Sequence, residues 1–256
     1  PAPNAAVPHS VRKTTPALKR KHQWWVISMQ TKLFDGPVLS ICERPEWIRS
    51  NRLDEMLEKY QWPGAVIVLD TETTGLNPYG KETHEPWEDP SPDDMLQLSI
   101  IDARTGAKMY DQYFWPPHKS EWPAAEAVNK ISPAMVEHSP SFYECRESVQ
   151  DLLDAARVII GYNVSFDLGF LEAAGCNYSR TKYLIDVMDD FAAHTHEKPE
   201  WAEDYTWQKL TYAAKQTGYT WPGDAHNSLQ DCLATLHVAK WLQANPSEML
   251  KWALWY

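Results

Sequence analysis

Two acidic residues, Asp70 and Glu72, follow the apolar run 66–69 and are separated by a single threonine. Because alternate side chains of a strand point to the same face, this spacing predicts that both carboxylates share one face at the end of a buried strand. Neighbouring anions repel one another unless a cation neutralises them, and carboxylate oxygens are the ligands that Mg²⁺ prefers. An exposed strand end with both acids in water is the alternative that this pair alone leaves open.

Three further residues have side chains suited to the same chemistry. Asp167 follows the segment 161–166, directly after a short apolar strand and near the start of a predicted helix. Asp231 lies on the predicted helix 228–243, and His226 precedes it in the sequence. Five helical steps turn through about 140° beyond a full circle, so His226 must lie in the preceding loop if both residues serve one site. An imidazole with a near-neutral pKa in such a loop is suited to proton transfer.

The order of these residues resembles the DEDDh exonucleases. The shared motifs are Asp70-Thr-Glu72, Asn163-x-x-Phe166-Asp167 and His226-x-x-x-x-Asp231. The family is the DnaQ-like branch of the RNase T superfamily and includes the proofreading epsilon subunit of bacterial DNA polymerase III. The resemblance covers roughly residues 64–244, and the combination in this order is far more specific than any single motif.

The resemblance implies a metal site and a substrate site. Two Mg²⁺ or Mn²⁺ ions would be held by the four carboxylates Asp70, Glu72, Asp167 and Asp231. His226 would be the general base that activates the attacking water. The terminal nucleotide would contact Thr73, Leu76, Asn129 and Asn163, with Leu76 wedged against its base. Tyr162 departs from the family pattern, in which many relatives have histidine.

The implied activity is metal-dependent 3′→5′ exonuclease cleavage at a single-stranded or frayed 3′ end, releasing nucleoside 5′-monophosphates. DNA is favoured over RNA as the substrate. An exoribonuclease or oligonucleotidase of the same family is one alternative, distinguished by whether the pocket accepts a 2′-hydroxyl group. A catalytically weak nucleic-acid-binding scaffold is another, which the five intact catalytic positions disfavour.

The pattern of apolar residues predicts an α/β layer fold. The resemblance to the DEDDh exonucleases implies an RNase H-like mixed sheet, antiparallel in its first three strands and then parallel, flanked by helices. The first three strands, near 66–72, 96–103 and 107–115, are predicted to form an antiparallel meander, and a later strand is predicted at 157–161. Helices are predicted at 44–60, 124–130, 133–138, 143–156, 166–174, 183–193, 207–218, 228–243 and 247–256. Asp186, Asp189 and Asp190 are predicted to form an exposed edge of the helix 183–193.

Composition bounds the organisation of the chain. With 256 residues and a formal net charge of −11, the chain is expected to have one main domain and no broad non-specific grip on a polyanion. We predict a flexible basic extension at 1–22, an appendage at 23–63 and the exonuclease domain at 64–256. The basic extension could hold a nucleic-acid strand or be a solvated tail, and the N-terminal segment is a candidate docking site for a protein partner.

The sequence also bears on location. No apolar run approaches the roughly 20 residues that span a membrane, and the N-terminus lacks the pattern of a secretory signal. The four cysteines are scattered and contain no Cys-x-x-Cys pair, so we expect reduced thiols in a cytoplasmic protein. Because the sequence opens at Pro1 without an initiator methionine, we expect a fragment or a processed product.

Overall fold

The computed structural model describes residues 52–80, 90–181, 183–195, 206–222 and 227–245. The predicted extension 1–22, most of the predicted appendage 23–63, the terminal helix 247–256 and His226 lie outside the described residues. In chain order, the elements are α1 (Arg52–Lys59), β1 (Val66–Thr73), β2 (Met95–Asp102), β3 (Lys108–Tyr113), α2 (Pro123–Asn129), α3 (Pro133–Val136), α4 (Phe142–Ala155), β4 (Val158–Gly161), α5 (Val164–Ala173), β5 (Tyr183–Asp186), α6 (Val187–Thr195), α7 (Leu210–Gln216) and α8 (Ser228–Ala244).

The strands form one five-stranded sheet in the order β3-β2-β1-β4-β5. Strands β1, β2 and β3 pair antiparallel, whereas β4 pairs parallel to β1 and β5 parallel to β4. The turn between β2 and β3 is held by the Asp102 carboxylate, which accepts hydrogen bonds from the amides of Arg104 and Thr105 at 3.1 and 3.0 Å. Gly106 completes the turn with a φ of 72°, a conformation that costs little without a Cβ atom. The predicted antiparallel meander and mixed RNase H-like sheet are confirmed.

One face of the sheet carries a large hydrophobic core. Val66 and Val68 of β1 point to this face together with Ile160 of β4, and helices α1, α6, α7 and α8 cover it. Leu53 and Met56 of α1 are buried in the same core, so this helix packs against the body of the domain. Because side chains alternate along a strand, the face that carries Val66 and Val68 is also the face of Asp70 and Glu72.

The predicted helices of the described region lie close to their expected positions, with one exception. The segment 183–193 was expected to be helical throughout, but Tyr183–Asp186 is strand β5 and the helix begins only at Val187. A run of three apolar residues fits a buried strand as well as a helix, and only pairing with β4 selects the strand. The prediction that Asp186 lies on an exposed helix edge is therefore wrong, because Asp186 ends this strand and is buried.

Two further expectations concern thiols and membranes. The cysteines of the described region, Cys145, Cys176 and Cys232, are free, and the latter two are buried. Among the described residues, every helix is too short or too polar to cross a lipid bilayer.

Candidate active site

The carboxylates of Asp70 and Glu72 lie at the carboxyl end of β1, in the middle of the sheet. Asp70 is opposite Ser99 and Glu72 is opposite Gln97 on the neighbouring strand β2. The register shifts between Glu72 and Thr73, where the strand ends. Asp70 and Glu72 therefore lie on the same face of the central strand, as predicted, with Ser99 and Gln97 beside them on β2.

Helix α8 brings Asp231 to this face through contacts at its first turn. The hydroxyl groups of Ser99 and Ser228 lie 2.7 Å apart, and the Gln97 side-chain oxygen accepts hydrogen bonds from Asn227 Nδ2 at 3.2 Å and the Ser228 amide at 3.3 Å. Asn227 also caps the helix, because its side-chain oxygen accepts a hydrogen bond from the Gln230 amide at 3.4 Å. These bonds hold the start of α8 against the strand that neighbours Asp70 and Glu72.

The result is a cluster of three carboxylates from two elements. One oxygen each of Asp70, Glu72 and Asp231 lies within 4.8 Å of the other two, and all three side chains are partly exposed. Hard divalent cations prefer oxygen ligands of this kind, so the donor set fits Mg²⁺ or Mn²⁺. The cluster is the chemical core of the candidate site.

Asp167 reaches the site from the first turn of α5. The connection from β4 to α5 is tight, because a Cβ atom on Gly161 would lie 2.9 Å from the Val164 Cβ. Asn163 takes the left-handed conformation at the helix start, with φ 67° and ψ 51°, which asparagine tolerates better than most residues. Asp167 itself is buried, and its Oδ1 accepts hydrogen bonds from the Thr71 amide at 2.9 Å and the Thr71 hydroxyl at 2.7 Å.

Asp186 fixes the same turn from the neighbouring strand. Its Oδ1 accepts hydrogen bonds from the amides of Asn163 at 2.9 Å and Met188 at 3.0 Å, and its Oδ2 accepts one from the Val164 amide at 3.0 Å. The sequence pattern did not predict this role of Asp186. The available signal was an acid directly after the apolar triplet 183–185, which is typical of a strand end.

Burial and mutual repulsion make the cluster difficult to ionise without a cation. Removal of water raises the pKa of Asp70 well above its usual range, and the charges of Asp167, Asp231 and Glu72 raise it further, in that order. The pKa of Glu72 is raised to about 8, chiefly by desolvation and then by the charges of Asp231 and Asp167. A hydrogen bond from Asn129 lowers this pKa but does not cancel the rise. A divalent cation would displace the retained protons and remove the repulsion.

Desolvation also raises the pKa of Asp167 to about 7, despite the two hydrogen bonds from Thr71 that lower it. Asp186 follows the same pattern, because desolvation and the charge of Asp189 raise its pKa to about 7 against hydrogen bonds from three backbone amides. Buried carboxylates with raised pKa values at one end of a sheet are typical of functional sites.

The four residues implied to bind the terminal nucleotide surround the end of β1 and the start of α5. Leu76 is 82% exposed just beyond β1, whereas Thr73 is buried. Asn129 is also buried; its Nδ2 donates to the Thr73 carbonyl at 3.2 Å and its Oδ1 accepts from the Ile131 amide at 3.1 Å. Asn163 begins α5. Contact of any of these residues with a nucleotide stays a prediction.

A mixed five-stranded sheet in this strand order, with acidic residues beside the end of its central strand, has the RNase H-like fold. The family comparison is more specific: the RNase_T exonuclease model matches residues 67–239. The chain belongs to this family and, by its motifs, to the DEDDh, DnaQ-like exonucleases.

Individual relatives agree with this assignment. The chain is 28% identical over 183 residues to the uncharacterized exonuclease CP81 of Escherichia phage 186, covering 67% of this chain and 84% of the relative. It is 30% identical over 108 residues to the DNA polymerase III epsilon subunit of Escherichia coli K12, covering 41% of each chain. The match therefore spans less than half the length of that polymerase subunit.

Solved structures support the fold. The nuclease domain of 3′hExo, a DEDDh family member bound to rAMP, is 14% identical with a TM-score of 0.50, covering 73% of this chain and 95% of that one. Pop2p of S. pombe, in a form with Mg²⁺ and Mn²⁺ bound, is 13% identical with a TM-score of 0.51, covering 79% and 90%. At these identities the likeness establishes the architecture alone.

Proposed function

We propose that this chain is a metal-dependent 3′→5′ exonuclease that shortens a single-stranded or frayed 3′ end, preferably of DNA, one nucleotide at a time. The observation that carries the proposal is the cluster of Asp70, Glu72 and Asp231, whose oxygens approach within 4.8 Å of one another. Three carboxylates at this spacing are costly unless they bind a cation, and phosphodiester hydrolysis is the chemistry that such sites support in exonucleases.

Two Mg²⁺ or Mn²⁺ ions are the proposed cofactors. Asp70, Glu72 and Asp231 would hold one ion, and Asp167, whose charge acts most strongly on Asp70 among the neighbouring acids, would contribute with Asp70 to the other. When bound, such ions activate water and stabilise the charge on the phosphate and its leaving oxygen. The four carboxylates offset the charge of two dications, which is consistent with the acidic net charge of the chain.

His226 is proposed as the general base. It would take a proton from the water that attacks the phosphorus of the terminal nucleotide, as the bond from phosphorus to the 3′-oxygen of the preceding nucleotide breaks. The leaving 3′-oxygen gains a proton, so the products are a nucleoside 5′-monophosphate and a strand shortened by one residue. His226 immediately precedes Asn227, whose side chain is held by Gln97 beside the carboxylate cluster.

The 3′-terminal nucleotide is proposed to bind at the end of β1. Leu76 is 82% exposed and stands four residues after Glu72, so its apolar side chain is available to pack against a base. Thr73, Asn129 and Asn163 complete the proposed contact set. The DNA preference is supported by the names of the relatives, several of which are epsilon subunits of DNA polymerase III.

The test is a panel of 3′-labelled and 5′-labelled single-stranded and double-stranded DNA and RNA, incubated with Mg²⁺ or Mn²⁺ or with EDTA. The expected result is stepwise loss from the 3′ end, release of 5′-monophosphates and loss of activity in EDTA. Asp70→Ala is the matched variant and should lower the rate to background. Equal background cleavage by both proteins on every substrate would refute the enzyme and favour a binding scaffold, whereas preference for RNA would identify an exoribonuclease.

The N-terminal segment is proposed to hold the strand or a protein partner. Six basic residues precede the first acidic one, Asp35. Deleting residues 1–21 should weaken binding to long strands and flatten the dependence of the dissociation constant on salt, because each phosphate contact releases counterions. An unchanged salt slope would exclude a contact between this segment and the strand.

A further inference from the structure

Thr71 lies between Asp70 and Glu72 on β1 and contacts a third acidic residue, Asp167. Its amide and its hydroxyl both donate to one oxygen of Asp167, Oδ1, at 2.9 and 2.7 Å. Both residues are buried, with Thr71 at 7% and Asp167 at 2% exposure. A pair of short bonds in a buried environment restrains the rotation of the carboxylate strongly, because breaking either bond would leave a polar group unpaired away from water.

The geometry of the sheet explains why Thr71 makes this contact. The parallel pairing of β1 with β4 ends at Val68 and Ile160, so the Thr71 amide lies beyond the ladder and requires another acceptor. Side chains alternate along β1, so the Thr71 hydroxyl projects on the face opposite Asp70 and Glu72. Helix α5 therefore meets the site from the opposite side to α8, and Thr71 links β1 to α5 through its two hydrogen bonds with Asp167.

The two bonds also restrict how Asp167 can bind a cation. A carboxylate oxygen offers two lone-pair positions, and Thr71 occupies both positions of Oδ1. Oδ2 is then the remaining oxygen for a metal. Among the described residues, Asp167 is not a member of the cluster of Asp70, Glu72 and Asp231. Its carboxylate is held instead by the two hydrogen bonds from Thr71.

We propose that Thr71 is a positioning residue that binds Oδ1 of Asp167 and thereby presents Oδ2 as a single-oxygen ligand for a divalent cation. The inference rests on the proposed function, since it assumes a metal at the carboxylates. Thr71, the middle residue of Asp70-Thr71-Glu72, thereby has a role in orienting Asp167. Neither strand pairing nor the three-carboxylate cluster requires a hydroxyl at this position. Groups that orient a metal ligand are typically worth 10-fold to 100-fold in metal affinity or activity.

The test compares Thr71→Val, which has a similar shape but no hydroxyl, with Thr71→Ser, which retains the hydroxyl. Mn²⁺ binding to each full-length chain is measured by electron paramagnetic resonance of the free ion, beside the wild-type chain and Asp70→Ala. Thr71→Val should raise the apparent dissociation constant for Mn²⁺ at least about 10-fold, and Thr71→Ser should restore it to near the wild-type value. The Mn²⁺ concentration that gives half-maximal exonuclease rate should shift in parallel.

The outcomes separate this inference from the proposed function. If the wild-type chain binds Mn²⁺ and Thr71→Val binds it equally well, or if Thr71→Ser loses as much affinity as Thr71→Val, the role of the hydroxyl is refuted while the proposed function stands. If the wild-type chain binds no Mn²⁺, the inference is refuted, and the proposed function is refuted with it only if cleavage in Mg²⁺ also stays at background. Circular dichroism checks that each variant is folded. If Thr71→Val is not, Thr71→Ala removes the same hydroxyl with a smaller side chain and must show the same loss.

Discussion

The hydroxyl groups of Ser99 and Ser228 lie 2.7 Å apart in the protein interior, although 129 residues separate them in the sequence. Both side chains are fully buried. The contact joins β2 at the residue opposite Asp70 to the first residue of α8, one turn before Asp231. Two small polar residues thus connect α8, which supplies Asp231, to the strand that pairs with the Asp70 and Glu72 segment of β1.

We predict that the contributions of Ser99 and Ser228 to the free energy of unfolding depend on each other. Either Ser99→Ala or Ser228→Ala should lower the free energy of unfolding by about 1–3 kcal/mol, because each leaves a buried hydroxyl without one of its partners. The double variant should lose less than the sum of the two, with an interaction energy of roughly 0.5–3 kcal/mol. Urea unfolding of the four proteins measures the cycle. Additive losses would show that the hydroxyls do not stabilise each other.

The buried carboxylate of Asp186 leads to a second prediction. At pH 8, where the carboxylate is ionised, Asp186→Asn replaces an oxygen that accepts backbone hydrogen bonds with an amide that itself donates. We expect a loss of about 1–3 kcal/mol in the free energy of unfolding, together with weaker Mn²⁺ binding because the turn that carries Asp167 is loosened. Asp151→Asn, at an exposed position of α4, is the control and should stay within about 0.5 kcal/mol of wild type. Equal stability of the two variants would contradict the anchoring role.

Two glycines near the site should respond oppositely to an added methyl group. A Cβ atom on Gly75 would lie 2.4 Å from the carboxylate of Asp93, which accepts a hydrogen bond from the Asn77 amide at 2.9 Å. Gly75→Ala should therefore displace the segment around Leu76, raise the KM for a single-stranded substrate and destabilise the fold by about 1–3 kcal/mol.

Gly169 is the matched comparison, since it lies within α5 and its added Cβ would be 3.8 Å from Pro78, an ordinary contact. Gly169→Ala should stabilise the chain by up to about 1 kcal/mol, as expected for alanine in place of glycine inside a helix. Thermal and urea unfolding with KM measurements check both variants. A stabilising Gly75→Ala with unchanged KM would show that the Asp93 carboxylate moves aside freely.

The raised pKa values predict how stability depends on pH and metal. In EDTA, the folded state keeps protons on Glu72 and Asp167 up to about pH 8 and 7, whereas the unfolded chain releases them near pH 4. The folded state therefore binds more protons between these limits, and the contribution of these groups to the unfolding free energy falls as pH rises through that window. Saturating Mg²⁺ binds the ionised carboxylates, so the stabilisation by Mg²⁺ should grow with pH over the same range.

Unfolding by urea from pH 5 to pH 8.5, with EDTA or with Mg²⁺, tests this prediction. Glu72→Gln removes one of the titrating groups and should reduce the negative slope measured in EDTA. A Mg²⁺ stabilisation that is independent of pH would contradict the retained protons. The result also separates metal binding from turnover, because no substrate is present.

The proposed roles of His226 and Asp231 predict that their substitutions affect kcat and Mn²⁺ binding differently. His226→Gln should lower kcat by about 10²-fold to 10⁴-fold, the range expected for removal of a general base, and leave Mn²⁺ binding near the wild-type level. Asp231→Asn should impair both, because Asp231 belongs to the carboxylate cluster. Steady-state kinetics and Mn²⁺ titration of both variants give the comparison. Loss of Mn²⁺ binding in His226→Gln would assign the imidazole to the metal site instead of to proton transfer.

Local patterns in the sequence were sufficient for the strand that carries the site. The apolar run before Asp70 and the alternation of side chains predicted a buried strand with Asp70 and Glu72 on one face, and the structure has this arrangement. The antiparallel meander followed from three short apolar runs with a turn at 104–106. The family motifs, which are spread over about two thirds of the chain, identified the exonuclease family.

Tertiary structure decided what local patterns could not. Strand β5 is a strand because β4 offers it a parallel partner, and Asp186 is buried because that pairing places it against the amides of the turn that starts α5. The contacts of Thr71 with Asp167 and of Ser99 with Ser228 join residues that are 96 and 129 positions apart. Periodicity reports only which side of its own element a residue occupies. Strand order and helix placement determine which polar groups meet, and this is why the acids were predictable while the residues that hold them in place were not.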